Sequence, residues 1–137
     1  MLLGIGLEGS RDEVQWQVEV IDREMRQGGA GGVAWFRDAQ TAKVWSALTD
    51  YQVGVEAPVT IRAALLPSRT VEFVVAAIDA GVAVQAHAGN GVVHGHLPDD
   101  TLDAAAAESV IHPLRELAAD GGGQVIVERC EAGWVDQ

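Results

Sequence analysis

One segment, Ala86-His87-Ala88-Gly89-Asn90-Gly91-Val92-Val93-His94-Gly95-His96, constrains this chain more than any other. It carries three of the four histidines around an Asn-Gly pair. Asn-Gly is the strongest short hairpin signal, because both central residues of a type I′ turn need φ > 0. With Asn90 and Gly91 as the turn, the ladder pairs Gly89 with Val92, Ala88 with Val93 and His87 with His94, and sets Gln85 against His96. Cross-strand partners have Cβ atoms about 4.5–5.5 Å apart. Strand alternation then puts Gln85, His87, His94 and His96 on one face and Val84, Ala86, Val93 and Leu97 on the other. One face packs on a core. The other presents imidazoles, and is either a site or a surface meant to be covered.

The flanking sequence supplies the elements around this hairpin. Leu2 to Glu8 reads as a short strand. Ser10 followed by Glu13 is a capping box, and Val14, Val18, Ile21 and Met25 continue at helical spacing to a stop at Gly28-Gly29. Asp38 is placed to cap a second helix to about Leu48, with Val44 and Trp45 as buried residues. Val59 to Leu66 alternates as a strand ending at Pro67. Ser68 is placed to cap a third helix whose Val71, Val74, Val75 and Ile78 form one face, with Gly81 as its stop. Asp99 to Ala119 is mostly helical, with Pro113 as a break or restart. Gln124 to Arg129 is a last strand.

From Val59 onward the order is β-α-β-β-α-β, the split unit of ferredoxin-like folds. The expected architecture is therefore α+β: an antiparallel sheet with helices on one face, preceded by an N-terminal β-α-α extension. At 137 residues the chain reads as a single domain over 1–137.

Composition narrows the partners. Nine Lys plus Arg against twenty Asp plus Glu give a net charge of −11, which argues against nucleic acid and against an anionic membrane surface. No apolar run approaches the roughly 18 residues of a membrane span, and the N-terminus lacks the basic region of a signal peptide. A single cysteine, Cys130, excludes an internal disulfide framework and suits a reducing, cytoplasmic compartment. Cys130 reads as a small buried residue rather than a nucleophile, and no Gly-x-Ser-x-Gly elbow is present. The glycines of Gly28 to Gly32 do not follow a strand, so they form a loop rather than a phosphate cradle. Arg62 and Arg69 flank the Pro67-Ser68 junction. Either suits a carboxylate by bidentate pairing or serves as a surface ion pair. Trp16, Trp35, Trp45 and Trp134 read as core or interface anchors.

His87-Ala88-Gly89-Asn90-Gly91-Val92-Val93-His94 resembles the His-x-Gly-[Asp/Asn]-Gly-x-x-His signature in the C-terminal, or cap, domain of FAD-linked oxidases. That group includes glycolate oxidase subunits and D-lactate dehydrogenases. Leu7-Glu8-Gly9-Ser10, Lys43 to Leu48, Arg62 to Ser68 and Leu114-Arg115-Glu116-Leu117 with Gly122-Gly123 are similar to other parts of that domain, in order. The resemblance implies FAD in the complete enzyme, bound mainly by a separate flavin-binding domain or subunit that this chain lacks, and a 2-hydroxyacid substrate. The chain alone is then neither flavin-bound nor catalytic. It implies substrate or flavin-pocket roles for His87, Asn90, His94, His96, Arg62 and Arg69. In some members the first and last histidines, with a later glutamate, bind a divalent metal. His87 and His94 match those positions, but no later segment matches the glutamate's. The rival reading is a stand-alone ferredoxin-like module that binds a small ligand or metal, or forms a homodimer through its sheet face.

Overall fold

The computed structural model describes residues 2–54, 56–101 and 103–134. The chain divides into two compact units, Met1–Thr41 and Ala42–Gln137. The first is built on helix α1 (Arg11–Gln27), whose start carries the expected capping box: the Ser10 hydroxyl takes the Glu13 amide, and the Glu13 carboxylate takes the Ser10 amide at 2.8 Å. Those bonds hold the Glu13 carboxyl below its ordinary pKa. Residues 2–8 form no strand, contrary to expectation. Within this unit the described residues offer no strand edge to pair with, and an unpaired strand is not stable in water. The N-terminal extension is therefore helical only.

The second unit holds a four-stranded sheet of β1 (Val59–Ala64), β2 (Ala83–His87), β3 (Val92–His96) and β4 (Gln124–Cys130), with helices α3 (Thr70–Asp79) and α4 (Ala104–Asp120) in the two crossovers. The strand order is β2-β3-β1-β4 and every neighbouring pair is antiparallel. This is the expected α+β split unit. Val59, Ile61, Ala63, Val93, Leu97 and Val125 point from one face into the core, where Phe73, Val74 and Ala77 of α3 and Ala107, Ile111, Leu114 and Ala118 of α4 meet them. Each large apolar side chain so buried contributes about 1.5–3 kcal/mol. Gly95 lies on this face opposite Ile61, and it is a glycine where a Cβ would press on the Val82 and Ile61 side chains at about 3 Å.

Several local expectations are corrected. Ser68 does not cap α3; it sits in a 3-10 turn over Pro67–Arg69, and α3 starts without a side-chain cap. The buried face of α3 is Thr70, Phe73, Val74 and Ala77, while Val71, Val75 and Ile78 are exposed. Two stripes of α3 are apolar, one residue apart in phase. The stripe holding the phenyl ring goes inside because it removes the most surface from water. Helix α2 (Ala39–Gly54) runs past Leu48, and Val44 and Trp45 lie at the surface, as do Trp16 and Trp35. Trp134 alone of the four tryptophans packs against the core. Pro113 neither breaks nor restarts α4, which is continuous from Ala104 behind an Asp103 cap. Among the described residues, no helix is long and apolar enough to cross a membrane.

Candidate functional site on the polar face of the sheet

The hairpin keeps the predicted faces but not the predicted register. His87 stands opposite Val92, Gln85 opposite His94 and Ala83 opposite His96. The connection is a four-residue loop, Ala88 to Gly91, closed by the amides of Asn90 and Gly91 on the His87 carbonyl at 3.1 Å each. Only Gly91 of the Asn-Gly pair has positive φ, at 73°, so a type I′ turn is not formed. The cause is tertiary. The Gly91 carbonyl accepts from the Leu65 amide at 2.8 Å, docking the loop on the end of β1, and a Cβ on Gly91 would collide with the Leu65 carbonyl oxygen. The slip is two residues, so every side chain keeps its face.

Gln85, His87, His94 and His96 therefore share the face away from the core. Thr60 and Arg62 join them, because they pair with His96 and His94 in the β1–β3 ladder. β4 adds two more residues. Thr60 pairs with Arg129 but Ile61 with Val127, so Glu128 is the extra residue of a β-bulge. Such a bulge re-aims a side chain, and here Glu128 and Arg129 both reach the polar face: Glu128 Oε1 takes Arg62 Nε at 2.7 Å, and Arg129 donates to Thr60 Oγ1 at 3.3 Å.

A hydrogen-bond chain crosses this face. Arg129 donates to Thr60 Oγ1, which lies 3.3 Å from His96 Nδ1, and His96 Nε2 lies 2.9 Å from the Tyr51 carbonyl of α2. A carbonyl only accepts, so Nε2 carries the proton and Nδ1 accepts from the Thr60 hydroxyl. The Tyr51 ring meets His96 edge-on with centroids 4.7 Å apart, and Gln85 donates to the Leu48 carbonyl of α2 at 3.0 Å. α2 thus touches the face opposite α3 and α4 by the Leu48 and Tyr51 carbonyls and the Tyr51 ring, not by Val44 or Trp45.

His94 is buried, and its Nδ1 lies 3.6 Å from Glu128 Oε2, longer than a hydrogen bond. Burial holds its imidazole below the ordinary pKa; the Glu128 carboxylate opposes this, and His87 and Arg62 add to it. The His87 ring stands edge-on to His94 at 6.2 Å. Burial also pushes the Tyr51 hydroxyl upward. Among the described residues, four buried side-chain polar atoms lack a partner; besides Thr70 Oγ1 they are Tyr51 Oη, Gln85 Oε1 and His94 Nδ1. Those three belong to residues of this face or of the helix that touches it. Buried polar groups are nearly always satisfied, so these three atoms are the hydrogen-bonding capacity left on this side of the sheet.

Of the candidates read from sequence, His87, His94, His96 and Arg62 come together here. Asn90 instead braces the loop, its Oδ1 taking the Val92 amide at 3.3 Å. Arg69 pairs with Glu72 at 2.9 Å and lies beside Gly121 at the end of α4. Sequence reading missed Tyr51, Thr60, Glu128 and Arg129. Simple alternation puts Glu128 and Arg129 on opposite faces, and no residue pattern announces the bulge that unites one with the other. No known protein family, curated protein or solved structure matches the chain.

Proposed function

We propose that this chain is the cap domain of an FAD-dependent 2-hydroxyacid oxidase or dehydrogenase of the glycolate-oxidase type, working in the cytoplasm with a flavin-binding domain or subunit. The observation that carries the reading is the set of orphaned polar atoms at the face where the His87–His94 motif lies. A cap that closes over a flavin ring and a small polar substrate satisfies such atoms only on assembly. The donor set fits that role: Arg62 for a carboxylate, Gln85 and Tyr51 for polar ring or substrate atoms, and a neutral histidine for a hydroxyl proton. When bound, the flavin accepts the hydride from the substrate's α-carbon. A divalent metal is not supported. Among the described residues, no group of three or more His, Cys, Asp and Glu is arranged to hold one, and two imidazoles alone are an incomplete set for a hydroxyacid-chelating ion.

The test is to express the chain together with its neighbouring coding sequence, in frame and from the adjacent gene. The expected product is yellow and is bleached by a short 2-hydroxyacid under anaerobic conditions, while the chain alone is colourless. Tight, stoichiometric FAD on the isolated chain, or no flavin-binding segment in the neighbouring sequence, overturns the reading.

A second reading is favoured by the outer edge of β4, where Ile126 and Val127 reach the surface. An uncovered edge is a template for pairing, and a stand-alone module could form a two-fold dimer there. Sedimentation of the isolated chain in low and moderate salt separates the two readings. A dimer that tightens as the charge is screened, with no flavoprotein partner, favours the module.

A further inference from the structure

We propose that Glu128, held by Arg62, is the positioning residue of His94: it accepts a hydrogen bond from Nδ1–H, leaves the lone pair on Nε2, and so makes that nitrogen the proton acceptor of the polar face. The proposal rests on the cap-domain reading for its substrate, and on geometry alone for its tautomer.

Two independent observations meet at one atom. His94 Nδ1 is buried and without a hydrogen-bond partner, in a side chain 6 % exposed. The facing group is a carboxylate oxygen at 3.6 Å. A charge-assisted N–H···O bond is about 2.7–2.9 Å long, so a side-chain adjustment of under about 1 Å makes it. Arg62 grips the other oxygen, Oε1, at 2.7 Å, so Oε2 is the oxygen left to take the Nδ1 proton. Gln85 stands opposite His94 in the β2–β3 register. Its oxygen is that of a neutral amide, and a carboxylate accepts the stronger bond.

The consequence is an asymmetry along one strand. His96 is fixed with its proton on Nε2 by the Tyr51 carbonyl. His94, two residues away, is fixed the other way round. His96 has both nitrogens committed and serves structure. His94 keeps an acceptor for a ligand with an acidic O–H or N–H. In the oxidation of a 2-hydroxyacid the substrate's O–H bond breaks and its proton goes to His94 Nε2. A flavin, when bound, would accept the α-C–H electron pair as hydride, and the C–O bond would become C=O.

The experiment uses the isolated chain with ¹⁵N-labelled histidine, in chelator at pH 8, where imidazoles are neutral. Long-range ¹H–¹⁵N correlation identifies the protonated nitrogen of each ring. The expected wild-type pattern is Nδ1–H for His94 and Nε2–H for His96. Glu128→Ala is expected to invert His94 to Nε2–H and leave His96 unchanged, so His96 reports an intact sheet in the same spectrum. Glu128→Gln, which keeps an oxygen acceptor, is expected to retain Nδ1–H at His94. A wild-type His94 in the Nε2–H form overturns the proposal without any variant, and so does an unchanged His94 in a folded Glu128→Ala chain. No flavin enters this measurement, so its failure is distinct from failure of the cap-domain reading.

Discussion

His94 on β3 and Glu128 on β4 meet across the intervening strand β1, with Nδ1 and Oε2 3.6 Å apart and Arg62 of β1 gripping the other carboxylate oxygen at 2.7 Å. Three strands thus contribute one side chain each to a single polar cluster.

The depressed pKa of His94 sets a pH dependence. Its folded-state value lies below the unfolded one, so the unfolded chain binds the proton first as pH falls. The associated stability is complete above the unfolded value of about 6.5 and is lost as pH drops from there toward the folded value. Thermal unfolding of wild type and His94→Gln between pH 7.5 and 5.5 should show a shallower decline in the variant. Parallel slopes would mean that His94 is not selectively desolvated.

The hairpin loop depends on Gly91. Its positive φ and its close approach to Leu65 both exclude a side chain. Gly91→Ala should cost roughly 1–3 kcal/mol or more in urea unfolding. Gly89→Ala, where an added Cβ meets nothing within 4 Å, should stay within about 0.5 kcal/mol of wild type. Equal effects at the two positions would contradict the docked loop.

Thr60 links Arg129 to His96. Thr60→Val keeps the shape but removes the hydroxyl, leaving His96 Nδ1 without its donor. The expected loss is about 1–3 kcal/mol, with Thr60→Ser recovering most of it. A neutral Thr60→Val would show that the chain of bonds contributes little.

Phe73 and Val75 separate the two candidate faces of α3. Phe73→Ala should cost about 3–5 kcal/mol, the range for a buried aromatic. Val75→Ala, at an exposed position, should change stability by less than about 1 kcal/mol. Reversed magnitudes would restore the Val71–Val75–Ile78 stripe as the core face.

Arg62→Ala tests how much the surface ion pair holds. Both partners are about a third exposed, so the loss should be only about 0.2–1 kcal/mol. A far larger loss in urea unfolding would show that Arg62 supports the sheet itself.

The sequence by itself determined the order of elements from Val59 onward, the capping box at Ser10 and Glu13, and the division of the hairpin into an apolar and a histidine face. These follow from local rules: hydrophobic period, cap chemistry and strand alternation act over a few residues. Tertiary structure decided the rest. The hairpin register moved by two because Gly91 docks on Leu65 at the end of β1, a contact made through the sheet and not along the hairpin. The face of α3 was chosen by which apolar stripe buries the phenyl ring. Residues 2–8 form no strand, since within their own compact unit the described residues offer no strand edge to receive one. The arrival of Arg129 beside Glu128 on the polar face was invisible in the sequence, since a bulge is a property of two strands paired together and leaves no mark on either alone.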